Sequence, residues 1–92
     1  MDQTAVVVDA REPKHFRMGH VRGAVNIPAG NEDEYMNRLQ GVAFDEPIIV
    51  YCGGPDCPAD SEVAKCLITE GYTNVRVFKP GWQQLSRTDL VP

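Results

Sequence analysis

The chain has 92 residues, 42% of them apolar and 24% charged, with a formal net charge of −4 and three cysteines. That length predicts one small domain over residues 1–92, with enough apolar sequence for a core. The acidic balance carries no electrostatic footprint for nucleic acid or for an anionic membrane surface. No apolar run reaches the length of a membrane span and no signal-peptide pattern opens the chain, so the cytoplasm is the expected compartment. An odd count of cysteines without a disulfide framework is expected to be reduced. Cys52, Cys57, His15 and His20 do not have the spacing of a zinc site, so neither a metal nor another cofactor is expected.

In chain order, Ala5-Val6-Val7-Val8 is a continuous β-branched run ending at Asp9, the pattern of a strand buried on both faces. Pro13 opens a short helix through Phe16 that Gly19 ends. Ala24-Val25-Asn26-Ile27 predicts a second short strand, stopped by Pro28. Asn31 is the expected N-cap of the next helix, with Glu34 as its capping-box partner and Gly41 as its stop. Tyr35, Met36 and Leu39 form its apolar face. Ile48-Ile49-Val50-Tyr51 is the third strand. A longer helix is expected from Pro58 or Asp60 to Glu70, with Gly71 at its C-terminus and Val63, Ala64, Leu67 and Ile68 facing the core. Val75-Arg76-Val77-Phe78 is the fourth strand, and Pro80-Gly81 starts a last helical turn carrying Trp82 and Leu85. Strict alternation of strands and helices predicts an α/β fold with a mainly parallel central sheet and helices on both faces.

The chemistry concentrates at one junction. The third strand ends on Cys52, and the loop Gly53-Gly54-Pro55-Asp56 leads to a second thiol at Cys57 and then to the longest helix. Open α/β sheets bind ligands at the carboxyl ends of their strands. A thiolate is favoured near a helix N-terminus and near inward-turned backbone amides, which Gly53 and Gly54 permit. Cys52 directly ends the strand and is preferred as the nucleophile. Cys57 remains open as a resolving thiol, a spectator or the primary nucleophile. Cys66 lies on or beside the apolar face of the longest helix and is read as packing.

Several stretches resemble the rhodanese domain. They are Val7-Val8-Asp9-Ala10-Arg11, then Phe16, then Gly19-His20-Val21-Arg22-Gly23-Ala24-Val25-Asn26-Ile27-Pro28. Tyr51-Cys52 resembles that family's strand-ended catalytic cysteine, Ser61 to Gly71 its following helix, and Asn74 to Trp82 its closing segment. Pro80 stands where the family usually has glycine, and Leu85 where its second aromatic often sits. Only Met1 to Thr4 precede the first strand, where the family usually carries a further strand and helix. The chain is therefore expected to be a trimmed domain or a piece of a longer protein. The resemblance implies a sulfurtransferase in which Cys52 takes a sulfane sulfur, becomes a persulfide stabilised by loop amides and passes the sulfur to a thiol or other nucleophile. The implied partners are a small sulfur donor or a protein persulfide donor, and a thiol acceptor.

Among the charged and aromatic residues, Arg22 is a candidate substrate contact. Asp9 and Arg11 are read as an ion pair or backbone cap near the site, and His20 as a hydrogen-bonded structural imidazole. His15 is read as a solvated helix residue. Trp82, with Phe78 and Leu85, is read as core or as a pocket wall. Position 58 is proline, so the Cys-x5-Arg clamp of related phosphatases is not formed. Asp56, Asp60 and Glu62 make the loop region acidic, which disfavours dianionic thiosulfate unless Arg17, Arg22 or Lys79 reaches over. Two further readings stay open: a non-catalytic binding or regulatory module of a larger protein, and a Cys52/Cys57 dithiol redox relay.

Overall fold

The computed structural model describes residues 5–88. Four strands, Val6–Asp9 (β1), Val25–Asn26 (β2), Ile48–Tyr51 (β3) and Val75–Phe78 (β4), alternate with four helices, Pro13–Met18 (α1), Glu32–Tyr35 (α2), Ala59–Glu70 (α3) and Gly81–Leu85 (α4). A 3-10 turn over Met36–Leu39 continues α2. The further N-terminal strand and helix of the family pattern would precede β1, at or before residues 1–4, outside the described residues.

Every strand pairing is parallel, and the sheet order is β2-β1-β3-β4. Side chains alternate across a strand, and here both faces are covered, as the unbroken apolar runs predict. Val8, Ile48 and Val50 pack with Leu39, Val63, Ala64 and Leu67, so the 3-10 turn and α3 cover one face. Val7, Tyr51 and Phe78 pack with Val21, Phe16, Trp82 and Leu85, so α1 and α4 cover the other. The order also sets where a crevice opens. From the adjacent strands β1 and β3 the chain leaves in opposite directions, toward β2 through α1 and toward β4 through α3. Diverging connections leave a gap beyond the carboxyl ends of β1 and β3, the switch point where doubly wound sheets bind ligands.

Local details depart from the sequence expectations. Asn31 makes no side-chain cap, so the capping box with Glu34 does not form; the contact between them is the Glu34 N–H donating to the Asn31 carbonyl at 3.1 Å. The helix tightens into the 3-10 turn that seats Leu39, 1% exposed, in the core. Pro58 is the N-cap of α3 rather than its first helical residue, which moves Cys57 outside the helix. Ile68 is 57% exposed; Val63, Ala64 and Leu67 alone make the buried apolar stripe of α3. Gly71 ends α3 as expected, with φ at +114° and the Tyr72 N–H donating back to the Leu67 carbonyl at 3.1 Å, a Schellman-type closure.

Candidate active site

At the switch point lies a cavity of about 500 Å³, lined by Ala10 and Arg11 after β1, Cys52 and Gly53 after β3, Cys57 and Ala59 at the start of α3, Trp82 on α4, and Glu12, His15 and Ala29. Cys52 is the first residue past β3 and is 3% exposed. Its carbonyl accepts the Trp82 N–H at 2.7 Å, and the Gly53 carbonyl accepts the Gln83 N–H at 2.9 Å. The first turn of α4 therefore pins the start of the cysteine loop. Gly81 makes that approach possible: a Cβ there would stand 2.6 Å from the Cys52 carbonyl oxygen, and its φ of +67° favours glycine.

Cys52 and Cys57 are joined by a disulfide, with their Cα atoms 6.2 Å apart. This corrects the expectation that both thiols are reduced. The turn Gly54-Pro55-Asp56-Cys57, closed by the Cys57 N–H donating to the Gly54 carbonyl at 3.2 Å, folds the second sulfur back onto the first. Spacing in the chain cannot reveal such a reversal, because it depends on the turn and on α3 behind it. Lys79, just past the end of β4, donates to the Cys57 carbonyl at 3.4 Å and pairs with Asp60 at 3.1 Å.

The walls rest on a buried polar network. Asp9 is fully buried at the end of β1. It accepts the Arg11 N–H at 2.9 Å, the Arg11 guanidinium at 2.7 to 3.2 Å and the Tyr51 hydroxyl at 2.7 Å. The Tyr51 oxygen in turn accepts the Val21 N–H at 3.2 Å. Burial pushes the Tyr51 hydroxyl well above its ordinary range, helped by the Asp9 charge and partly offset by the Val21 bond. The Arg11 guanidinium also donates to the Gly19 carbonyl at 2.6 Å and lies 4.6 Å from the centroid of the Trp82 ring. Asn26, 1% exposed, donates to the carbonyls of Asp9 and Arg11, each at 2.9 Å, which holds the loop after β1 in place.

The expected site residues thus separate. Cys52, Gly53, Cys57 and Arg11 line the cavity, whereas Arg22, Gly54, Pro55 and Asp56 are not among its lining residues. Asp9 and Arg11 form the structural ion pair read from the sequence, and His20 donates from Nδ1 to the Phe16 carbonyl, 2.7 Å away, while stacking on the Phe16 ring. His15 is exposed, as read from the sequence, and also lines the cavity from α1. Trp82 is a wall of the site as well as part of the core. Asp60 is not among the lining residues: it is fully buried and pairs with Lys79, with Oδ2 lacking a hydrogen-bond partner. The anchoring role of Asn26 escapes a reading of the chain alone; its one signal there is a polar residue inside an apolar strand, which asks for buried partners.

The family model of the rhodanese-like domain matches residues 1–88. The chain belongs to the rhodanese-like domain family. Among its relatives, a mitochondrial protein of Schizosaccharomyces pombe, provisionally named a thiosulfate sulfurtransferase, is 27% identical over 92% of the chain. The uncharacterized proteins YqhL of Bacillus subtilis and YibN of Escherichia coli are 30% and 36% identical over 87% and 86% of it. This rhodanese-like domain spans 66%, 60% and 54% of the length of those three proteins. Among solved structures, a Bacillus halodurans protein superposes with a TM-score of 0.77 at 24% identity, covering 91% of this chain and 61% of that one. A rhodanese with anions from E. coli gives a TM-score of 0.67 at 25% identity, covering 82% and 85%.

Proposed function

We propose that this rhodanese-like domain is a sulfurtransferase working through a persulfide on Cys52. The observation that carries the reading is the position of Cys52: it directly follows β3 at the switch point of the sheet and lines the cavity. Membership of a family that includes sulfurtransferases supports it. In the reduced protein the Cys52 thiolate attacks a sulfane sulfur, the donor leaves with the bonding electron pair, and the extra sulfur stays on Cys52. The adjacent loop amides and the N-terminus of α3 stabilise the anionic persulfide. A thiol then removes the outer sulfur and restores the thiolate.

The donor is a neutral sulfane compound or a persulfide, small or protein-borne, whose fixed charges lie away from the transferred sulfur. The reason is electrostatic. Alanines and Trp82 supply much of the wall, and the one buried cation in it, Arg11, is already matched by Asp9. A dianion such as thiosulfate would give up its hydration without a free counter-charge in the wall. Thiosulfate:cyanide turnover is accordingly expected to be slow, and rapid turnover would overturn this choice of donor.

The test of the function is intact-mass analysis of the reduced protein after exposure to glutathione persulfide. A gain of one sulfur that survives in Cys57→Ser and is lost in Cys52→Ser supports the reading. If no donor loads Cys52, the non-catalytic binding module replaces it. The Cys52–Cys57 bond favours a second reading, a dithiol relay, and the two readings meet in the fate of the outer sulfur.

A further inference from the structure

The geometry points to a reaction that ends inside the protein: we propose that Cys57 discharges the Cys52 persulfide as hydrosulfide, so that the domain reduces persulfides instead of only handing their sulfur on. The inference rests on the proposed Cys52 persulfide and adds the fate of its outer sulfur. Both cysteines belong to one cavity wall, and the folded loop brings their Cα atoms to 6.2 Å, a separation that lets the two sulfurs bond. The Gly54–Cys57 turn and the Lys79 contact to the Cys57 carbonyl place the second thiol by backbone interactions. Cys57 therefore needs no encounter and no entry path. An external acceptor must enter a cavity of about 500 Å³ and align with a sulfur borne by a residue that is 3% exposed. An intramolecular nucleophile already in position outcompetes such an acceptor.

The step balances. The Cys57 thiolate attacks Sγ of Cys52, a new Sγ–Sγ bond forms, and the bond from Sγ of Cys52 to the outer sulfur breaks. The outer sulfur leaves with the electron pair as hydrosulfide and takes up a proton. The protein is left with the Cys52–Cys57 disulfide, the state seen in the structure. Two electrons must then come from outside. A dithiol reductant supplies them by thiol–disulfide exchange, itself becoming a disulfide and regenerating both protein thiols. Over one cycle a persulfide and two thiol groups become a thiol, hydrogen sulfide and a disulfide.

The experiment uses reduced protein, freed of reductant under anaerobic conditions, and one equivalent of glutathione persulfide. The wild type is expected to release one equivalent of hydrosulfide, to lose two hydrogens in mass and to yield a peptide linking Cys52 to Cys57. Cys57→Ser is expected to keep one added sulfur and release no hydrosulfide, and Cys52→Ser to do neither. A wild type that holds the added sulfur without releasing hydrosulfide would overturn the inference and leave the sulfurtransferase reading standing. A Cys57→Ser protein that gains glutathione in place of a single sulfur would overturn both, since the first step would then be a mixed disulfide. Folding of each variant is checked by its far-UV and near-UV circular dichroism, and by loading of Cys57→Ser itself.

Discussion

Tyr51 shows how one side chain ties the sheet to the site. Its ring belongs to the cluster under α1 and α4, and its hydroxyl bridges the Val21 N–H to the buried Asp9 carboxylate. Burial, with help from Asp9, raises its proton affinity in the folded state. The folded protein therefore keeps a proton that the unfolded chain releases above pH about 10. Stability from this group is complete below that pH and falls as pH rises beyond it. Denaturant titrations at alkaline pH are expected to show that fall, and Tyr51→Phe is expected to make it shallower. Asn26 acts at the same scale. Asn26→Ala removes two hydrogen bonds and leaves the Arg11 carbonyl without its donor, while the Asp9 carbonyl keeps the Ile27 N–H; this is expected to cost about 1–3 kcal/mol, read from the urea midpoint. The same variant is expected to slow persulfide loading, because the loop carrying Ala10 and Arg11 loses its anchor.

Among the elements, the short helix α4 is decisive for the site despite its five residues. Its first turn donates two N–H groups to the loop carrying Cys52, at a spacing that leaves no room for a Cβ at position 81. Gly81→Ala combines a backbone clash with an unfavourable φ, and is expected to destabilise by about 2–4 kcal/mol. Cys52 loading is expected to fall with it, separating this position from an ordinary surface glycine. At the start of α3, Lys79 is half exposed and faces a fully buried Asp60. Lys79→Met leaves that carboxylate without its cation, and a loss of about 1–3 kcal/mol is expected in thermal melts. Asp60→Asn in the same chain is expected to recover part of the loss, which a purely apolar packing role for Lys79 would not show.

At the scale of the whole molecule, the core clusters lie apart from the disulfide at the candidate site. The core clusters form around the sheet, and the Cys52–Cys57 link spans five positions of the chain. Closing so short a loop contributes at most about 2 kcal/mol in the chain-entropy account. The reduced protein is therefore expected to remain folded, with a lower melting temperature and unchanged far-UV circular dichroism. That outcome is required by the proposed persulfide cycle, which needs both thiols free in one half of it. Among the described residues, no helix is long and apolar enough to cross a membrane.

The sequence by itself determined the local and the repetitive features. Val6 to Val8, Ile48 to Tyr51 and Val75 to Phe78 are apolar or β-branched runs, and their length and composition mark them as strands between helices. Gly71 and Pro13 signal helix ends through backbone preferences that act locally. Cys52 was legible as the thiol at a strand end for the same reason. Tertiary structure decided what depends on residues distant in the chain. Strand order put the ends of β1 and β3 side by side, and so put Arg11, His15 and Trp82 around one cysteine. It left Asn31 at the N-cap position of α2 without the side-chain bond that its residue type suggests. It removed Asp60 from the acidic surface by burying it against Lys79. It also brought Cys57 back to Cys52, since the meeting of two thiols is set by a turn and its supports, and the count of residues between them carries neither.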